Sequence, residues 1–277
     1  DLCWFASWNS FWALFFAKLQ KKPSLLVIGG YDLANLPEIG YGNQRGGLKK
    51  WVSRWSIHLA TTLVTNSYYS QTEAEKNIGI QKDRVQVVYH GVADPFGELP
   101  KHKENLVLTV GNVDKANLKR KGHELFVRTA ALMPDTPFVL VGAWKDSSID
   151  FLRSLATPNV LFTGRVSDEE LLDYYQRAAI YMQLSQHEGF GMSVAEAMLA
   201  GCIPIVTQAG SLPEVVGDTG FYVEDLRPES IRKTIENALR APANQQKVVR
   251  QRILDLFTLE QRHQAFEKLI MKLAEEE

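Results

Sequence analysis

The stretch that decides the fold is SQHEGFGMSVAEAMLAGCIPIV, residues 185–206. Its glycines at 189 and 191 let the backbone turn sharply and approach a ligand closely. The helix formers that follow predict a helix over 192–200, with Gly201 as the residue just past its end. Backbone amides and the positive end of the dipole at the start of such a helix favour an anionic group such as a diphosphate. The stretch therefore predicts a loop, helix and strand with an anion site in the loop.

Around this stretch, apolar runs and helical spacings alternate from Leu106 onward. A β-α-β series of this kind requires a parallel sheet with right-handed crossovers. The predicted strands lie at 106–110, 138–141, 159–163, 179–184, 203–207 and 221–223, and the predicted helices at 121–132, 148–156, 168–177 and 192–200. After Pro228 the spacing predicts two or three amphipathic helices. In open α/β sheets the ligand crevice lies outside the carboxyl ends of the strands.

The first third of the chain is predicted to run helix, strand, helix, strand, strand. Two prolines, a glycine and charges at 94–104 then predict a linker. We therefore expect a partial first domain at 1–100 and a second domain at 101–257. A last helix at 258–277 is expected to pack back on the first domain, with Thr258 as its cap.

The amino-acid composition, net charge and cysteine count exclude several classes of protein. The 277 residues are 45% hydrophobic and 23% charged, which is ordinary for a globular chain. A net charge of −1 gives no reason to expect a nucleic-acid partner. The only cysteines, Cys3 and Cys202, are too few for a disulfide framework or a thiolate metal site. A reducing cytoplasm is therefore the simplest location, and no run approaches the roughly 18 apolar residues of a membrane span.

The first 22 residues allow two interpretations. Trp8, Trp12 and Phe16 share one side of a predicted helix, and lysines follow at 18, 21 and 22. This pattern fits an interfacial helix, and with it a peripheral membrane contact through the first domain. A helix packed on a sheet is the simpler alternative.

Familiar catalytic motifs are missing from the sequence. The nearest approach to G-x-G-x-x-G is GYGNQRGG at 40–47, where Arg45 stands in place of the third glycine. Phosphate loops, G-x-S-x-G elbows, H-E-x-x-H and Asp-x-Asp pairs do not occur. These absences weigh against a dehydrogenase, a kinase, a serine hydrolase and a zinc hydrolase.

Two glutamates lie in the opening stretch. Glu188 sits in the loop beside the predicted anion site, and Glu196 lies eight residues on, inside the helix. They fit two separate contacts on one extended ligand. However, Ser193-x-x-Glu196 is also a capping-box pattern, and Ser167-x-x-Glu170 is another in the same chain. Spacing alone leaves open whether Glu196 is structural.

Residues 188–223, EGFGMSVAEAMLAGCIPIVTQAGSLPEVVGDTGFYV, closely resemble the donor-site signature of the retaining GT-B glycosyltransferases of family four. The Glu-x7-Glu motif of that family falls on Glu188 and Glu196. The resemblance covers essentially the whole second domain and continues more weakly into the first. It implies an α/β GT-B fold, in which two Rossmann-like domains with parallel sheets face a cleft. Family members have a fuller first domain, so this chain is expected to lack about its first two β-α units.

The resemblance also implies roles for individual residues. Glu188 would hydrogen-bond hydroxyls of the donor sugar, and Glu196 would grip the ribose of the nucleotide. Amides of the loop would bind the sugar or its diphosphate. The donor-binding positions that it implies, besides Glu196, are Gly189, Phe190, Gly191, Met192, Val166, Asn112 and Glu214.

The sequence departs from the family pattern at two places. Asn112 stands where the family usually carries an arginine on the diphosphate. The Lys-Gly pattern of the family carries over to Lys121, and Arg120 is the expected substitute cation. With Glu188, these two form the expected catalytic set. At the second place, Gly29 replaces a histidine that is commonly near the sugar.

The acceptor side of the site is expected to include Asp32 and Glu38. The activity implied is retaining transfer of a hexosyl group from a nucleotide diphosphate sugar, of UDP or GDP type, to a hydroxyl of a glycan, lipid or small molecule. No cofactor and no metal is expected, since the sequence has no Asp-x-Asp pair to hold one. Two alternatives stay open, a non-catalytic or truncated nucleotide-sugar binding module and a GT-B nucleotide-sugar epimerase.

Overall fold

The computed structural model describes residues 1–242 and 244–275. Contacts divide the chain into two compact units. The first comprises Asp1–Gly91 together with the C-terminal residues from Phe257, and the second comprises Val92–Leu256. Each unit contains its own sheet of parallel strands with helices around it, so the predicted α/β class is confirmed.

The sheet of the first unit has four parallel strands in the order β1-β2-β3-β4. These are β1 (Leu2–Trp4), β2 (Leu25–Ile28), β3 (Thr62–Thr65) and β4 (Val85–Val87). The helices are α1 (Trp8–Leu19), α2 (Gly30–Leu33), α3 (Gly47–Leu59) and α4 (Tyr68–Glu73). The prediction of three strands was wrong by one, because β1 has only three residues and its apolar sequence continues toward that of α1. It is defined by its pairing with β2, in which Leu2 lies opposite Leu25.

The sheet of the second unit has six parallel strands in the order β10-β9-β8-β5-β6-β7. They are β5 (Glu104–Val110), β6 (Phe138–Val141), β7 (Val160–Gly164), β8 (Ala178–Gln183), β9 (Ile203–Val206) and β10 (Phe221–Tyr222), which confirms all six predicted strands. The chain builds β6 and β7 on one side of β5 and then returns to build β8 to β10 on the other. The strand order therefore reverses between β5 and β8, which is the position at which open α/β sheets bind ligands.

Within residues 92–242 and 244–256, eight helices accompany this sheet. They are α5 (Lys115–Arg120), α6 (His123–Ala130), α7 (Ser148–Leu155), α8 (Asp168–Arg177), α9 (Met192–Leu199), α10 (Leu212–Val216), α11 (Pro228–Leu239) and α12 (Gln245–Leu256). The four helices predicted between the strands are confirmed. The short helices α5 and α10 were not predicted, since each is about one and a half turns long and sits between glycine-containing loops.

The segment 94–104 was predicted to be a linker, and this prediction was wrong. It is irregular up to the start of β5, but it packs as part of the second unit. Phe96 is buried edge-on against Tyr175, with ring centroids 6.4 Å apart. The Arg250 guanidinium donates to Asp94 over 3.0 Å. The prolines and the glycine make the backbone irregular here, but the segment still packs against the rest of the second unit.

The C-terminal helix α13 (Leu259–Glu275) completes the first unit. Thr258 caps it, since the Thr258 Oγ1 accepts from the Gln261 amide over 3.2 Å. Side chains alternate across the strands, so one face of the sheet is covered from within Asp1–Gly91 and the other by α13. The apolar residues joined to α13 are Leu25, Val27, Val64 and Val88 from the sheet region, with Ala265, Phe266, Leu269 and Leu273 from the helix. Throughout residues 1–242 and 244–275, every helix is too short or too polar to cross a bilayer.

Candidate functional site

The candidate site lies at the carboxyl ends of β5 and β8, where the strand order reverses. The loop after Gln183 leads to Gly191, the N-cap of α9. Gly191 has a φ of +99°, a left-handed backbone that glycine adopts without steric cost. In the part of the chain that the structure describes, the amides of Met192 and Ser193 donate no hydrogen bond to the protein. The first turn of α9 therefore offers two donors to an anion.

Three side chains converge on one carboxylate oxygen of Glu188. The Gln183 Nε2 donates to Oε2 over 2.7 Å, and the Lys121 Nζ and Arg120 Nη1 atoms lie 3.8 and 3.9 Å from the same oxygen. No hydrogen bond from residues 1–242 or 244–275 reaches Oε1. One oxygen is thus fixed by the protein, and the other can accept from a ligand hydroxyl.

The two cations reach Glu188 from the junction of α5 and α6. Asn117 Oδ1 accepts from the Arg120 Nε and Nη2 atoms over 3.0 and 2.7 Å, which orients the guanidinium. The Arg120 carbonyl accepts from the Gln186 amide over 2.8 Å and ties the junction to the loop after β8. Lys121 and Arg120 are adjacent in sequence, and the end of α5 at Arg120 allows both to face the same carboxylate.

Gly122 makes this junction possible. It is the N-cap of α6 and has a φ of +75°, and a Cβ placed on it would lie 2.6 Å from the Cβ and the carbonyl oxygen of Leu184. Only a residue without a side chain fits between the two segments.

Burial sets the electrostatics of the cation pair. Burial lowers the pKa of Lys121 below its ordinary value, Glu188 and more weakly Glu196 oppose this, and Arg120 adds to it. Lys121 is therefore within electrostatic reach of both glutamates. Because the pair is largely withdrawn from water, its interaction with an incoming anion is stronger than at an exposed surface.

Glu196 is not a capping residue. The N-cap of α9 is Gly191, which places Ser193 inside the helix, and the Glu196 Oε2 instead accepts from the Tyr175 hydroxyl over 2.9 Å. Burial raises the pKa of Glu196, while the Tyr175 hydroxyl and Lys121 lower it. By contrast, Ser167 is a true N-cap whose amide donates to the Glu170 carboxylate over 2.8 Å.

The turn before α10 holds the backbone of Glu188. The Ser211 amide and hydroxyl both donate to the Glu188 carbonyl, each over 3.0 Å. A Cβ placed on Gly210, which has a φ of +64°, would lie 2.4 Å from the same carbonyl oxygen. Gly210 and Ser211 therefore fix the position from which the Glu188 side chain extends.

The other residues expected in the donor site belong to the same unit. Phe190 is buried, and Gly189, Val166 and Glu214 are half-buried. Met192 is exposed at the start of α9, and Asn112 is exposed beyond β5. The Asn112 carbonyl accepts from Asn117 over 2.9 Å, so the main chain at this position helps to orient the residue that holds Arg120.

Asp32 and Glu38, expected on the acceptor side, lie in the first unit. Asp32 is buried and caps its own turn, since its Oδ2 accepts from the Gly29 amide over 2.9 Å. Burial raises the pKa of Asp32 to about 6, against hydrogen bonds from Gly29, Ala6 and Asn43 that lower it. Glu38 is exposed in a single turn at Pro37–Ile39. Gly29 and Asp32 are thus parts of one local structure.

Sequence reasoning missed four residues that position the site: Gln183, Tyr175, Ser211 and Gly210. Gln183 is a buried polar residue at the end of the apolar strand β8, and Tyr175 is a buried hydroxyl-bearing residue in the largely polar helix α8. A buried polar side chain needs a partner, and this was the available signal.

His123, the first residue of α6, is fully buried beside the cations. Neither ring nitrogen has a hydrogen-bond partner within the described chain. Burial, followed by Lys121 and Arg120, lowers the pKa of His123 to about 3, so the ring is neutral. As for metals, no group of three His, Cys, Asp or Glu side chains within residues 1–242 and 244–275 is arranged to hold an ion.

Comparison with known proteins connects this geometry to a family. The family model described as Glycosyl transferases group 1 matches residues 93–253, more than half of the chain. An uncharacterized 41.2 kDa protein in the cps region of Klebsiella pneumoniae is 30% identical over 197 residues, which are 63% of this chain and 53% of that protein. The serotype-specific mannosyltransferase WbdA of Escherichia coli is 27% identical over 195 residues, 61% of this chain and 24% of that protein. The chain thus spans about half or less of the length of these relatives.

Solved structures agree with the fold. Sucrose-phosphate synthase from Thermosynechococcus elongatus superposes with a TM-score of 0.81 at 21% identity, covering 100% of this chain and 74% of that one. Anabaena Alr3699/HepE in complex with UDP superposes with a TM-score of 0.80 at 16% identity, covering 98% and 79%. These likenesses confirm the expected GT-B fold class. The chain belongs to the family of glycosyl transferases group 1.

Proposed function

We propose that this protein transfers a hexosyl group from a nucleotide diphosphate sugar to an acceptor hydroxyl, with retention at the anomeric carbon. The observation that carries the proposal is the convergence of Lys121 and Arg120 on Glu188, directly before the start of α9. This arrangement sets positive charge and a hydroxyl-binding oxygen side by side. A sugar diphosphate needs both.

The diphosphate would bind between the cations and the first turn of α9. Sugar transfer leaves new negative charge on the departing nucleoside diphosphate, and preorganised donors in a site withdrawn from water stabilise that charge. Lys121, Arg120 and the amides of Met192 and Ser193 supply such donors. Gly189, Phe190 and Gly191 would shape the loop around the same group.

The sugar and the ribose would be held by the two glutamates. Glu188 keeps one oxygen on Gln183 and the cations, which leaves Oε1 to accept from donor-sugar hydroxyls. Glu196 has one oxygen on Tyr175, so its other oxygen suits a ribose hydroxyl. Val166, Asn112 and Glu214 would border the base, the diphosphate and the sugar, respectively. Retention and independence of metals are carried over from the family resemblance.

The donor class draws on the relatives. The Escherichia coli relative is named a mannosyltransferase, and the Anabaena structure contains UDP. We therefore assign a donor of UDP or GDP type and a glycan or lipid acceptor, with Asp32 and Glu38 on the acceptor side. A cytoplasmic location is part of the same proposal.

Thermal stabilisation by UDP, GDP, ADP and NAD tests the donor site. A ligand at about a hundred times its dissociation constant adds roughly 2.7 kcal/mol to stability. One nucleoside diphosphate should stabilise the parent, and Glu196→Ala should reduce that increment. Glu170→Ala is the matched control, because it removes the glutamate of a true capping box in the same unit. Stabilisation by NAD alone, or an equal increment in both variants, would refute the donor-site assignment.

Product analysis separates transfer from the two alternatives. With the stabilising nucleotide as its sugar diphosphate and an acceptor present, a transferase releases nucleoside diphosphate and forms a product whose anomeric configuration reports retention. An epimerase alters the sugar or releases nucleotide without any acceptor. A binding module shows stabilisation and no turnover.

A further inference from the structure

Helices α1 and α3 of the first unit carry a continuous exposed aromatic face. We define it by Trp8, Trp12, Phe16, Trp51 and Trp55, which are exposed to 48%, 53%, 51%, 55% and 50%, respectively. The members on each helix recur every four residues and therefore share one side. Phe11 lies between the helices, with ring centroids 5.1 Å from Trp12 and 6.1 Å from Trp55. Large aromatic groups with this much exposure in one patch mark an interaction site.

A basic hollow adjoins this face at the C-terminal ends of the same two helices. Its volume is about 490 Å³, and the charged or titratable side chains that line it are Lys18, Lys21, Lys22, His58 and Arg84. Among the described residues, no acidic side chain lines it. The lysines and Arg84 form no ion pair within the described chain, so their charge is uncompensated by the protein. His58 continues the stripe of Trp51 and Trp55 on α3, which makes the face and the hollow one surface.

We propose that the aromatic face and the basic hollow together dock on an anionic membrane surface. Tryptophan places an apolar ring and a polar N–H at a bilayer interface, and lysine and arginine are attracted to anionic headgroups. With its 12 residues, α1 is too short to cross the bilayer and would lie along it. This inference does not rest on the proposed sugar transfer, because the surface and its test involve no residue of the donor site.

A second copy of the chain fits this surface less well than a membrane does. A twofold contact would bring the same patch of two molecules together, and with it two sets of uncompensated lysines. Repulsion between like charges opposes such a contact. An anionic lipid surface instead complements the hollow.

The test is co-sedimentation of the full chain with lipid vesicles. Vesicles of equal parts phosphatidylcholine and phosphatidylglycerol should bind it, more weakly as salt is added, and vesicles of phosphatidylcholine alone should not. Lys21→Gln/Lys22→Gln should weaken binding about 25-fold, which is roughly fivefold for each lysine near an anionic surface. Lys268→Gln/Lys272→Gln, which removes two exposed lysines of α13 in the same unit, should leave binding unchanged. Trp12→Ser/Trp55→Ser should weaken binding as well.

Each variant is first checked for an unchanged melting temperature. An unfolded variant is replaced by its conservative counterpart, Trp12→Phe/Trp55→Phe or Lys21→Ala/Lys22→Ala. The proposal is overturned if anionic vesicles bind no protein, or if both lysine pairs matter equally. Concentration-dependent association without lipid, lost in the tryptophan variant, would overturn it in favour of a second copy.

Discussion

Replacing Gly210 by alanine should disturb Glu188 without changing any side chain of the donor site. The added methyl group would lie 2.4 Å from the Glu188 carbonyl oxygen and 2.6 Å from the Glu188 amide nitrogen. Both are backbone atoms and cannot rotate away. The turn must therefore move, and the two hydrogen bonds from Ser211 to the Glu188 carbonyl move with it.

The magnitude follows from two contributions. A non-glycine residue in the left-handed region, here at a φ of +64°, costs about 1–2 kcal/mol. Overpacking a tight contact costs a further ~1–3 kcal/mol. Gly97→Ala is the matched control, because Gly97 belongs to the same unit, has a φ of +59° and has no atom within 4 Å of its added Cβ. The control keeps the first contribution and lacks the second.

Urea unfolding and nucleotide titration measure the two consequences. We expect Gly210→Ala to lose ~1–3 kcal/mol more stability than Gly97→Ala. Its affinity for the stabilising nucleotide sugar should fall about tenfold or more, equal to ~1.4 kcal/mol. Equal loss of stability in the two variants would contradict the close approach of the turn. Parent-like affinity in Gly210→Ala would show that the turn does not position Glu188.

Three further predictions concern buried titratable groups. Tyr175→Phe removes the hydrogen bond to Glu196, raises the pKa of that carboxyl further and should weaken nucleotide binding roughly tenfold, more at pH 6 than at pH 8. The pKa of Asp32 is raised to about 6, so the folded state keeps a proton that the unfolded chain releases near pH 4. The ionisation of Asp32 should therefore lower the free energy of unfolding by up to ~3 kcal/mol as the pH rises from about 4 to about 6. This contribution is read as the difference between the parent and Asp32→Asn at each pH, because His123 contributes in the opposite direction over the same range. The pKa of His123 is lowered to about 3, so between about pH 6.5 and pH 3 the unfolded chain binds a proton that the folded state does not bind. His123 should therefore contribute a loss of about 2 kcal/mol in the free energy of unfolding between pH 6.5 and pH 5, and the difference between the parent and His123→Leu should show this contribution.

A specific result would contradict each of these three predictions. Tyr174→Phe changes the adjacent tyrosine of α8, which has no bond to Glu196 in the described chain, and should leave nucleotide binding unchanged; an equal effect in both variants would point to α8 as a whole. If the free energy of unfolding from urea titrations changes with pH between 4 and 6 in Asp32→Asn as it does in the parent, the pH dependence belongs to a group other than Asp32. If His123→Leu loses as much unfolding free energy as the parent between pH 6.5 and pH 5, a group other than His123 causes that loss.

The sequence was informative about the second unit because four of its six described strands, β5, β6, β8 and β9, are largely buried. All four residues of Phe138–Val141 are buried, so the strand reads as one apolar run between polar loops. The apolar residues of β1 continue toward the apolar residues of α1 and are largely exposed, so only the pairing with β2 defines the strand. The linker prediction for 94–104 failed for a related reason, since prolines and a glycine describe the local backbone and not the burial of Phe96 against Tyr175.

The candidate site also has some features that the sequence predicts and others that it does not. The glycines at 189 and 191 marked the loop, because their freedom is a local property of the chain. The role of Glu196 could not be decided, since Ser193 and Glu196 have the same spacing as Ser167 and Glu170. What differs is the start of the helix, which falls at Met192 for one pair and directly after Ser167 for the other. The partners Gln183 and Tyr175 were missed because no sequence motif links them to Glu188 and Glu196, which lie 5 and 21 residues away, respectively.

The position of α13 has a consequence for synthesis on the ribosome. The second unit is one uninterrupted stretch, Val92–Leu256, and can fold as soon as it has left the exit tunnel. The first unit is made earlier, yet one face of its sheet stays uncovered until Ala265, Phe266 and Leu269 arrive. The unit translated first is therefore the one completed last. In the interval its exposed valines and leucines are a surface for chaperones to protect.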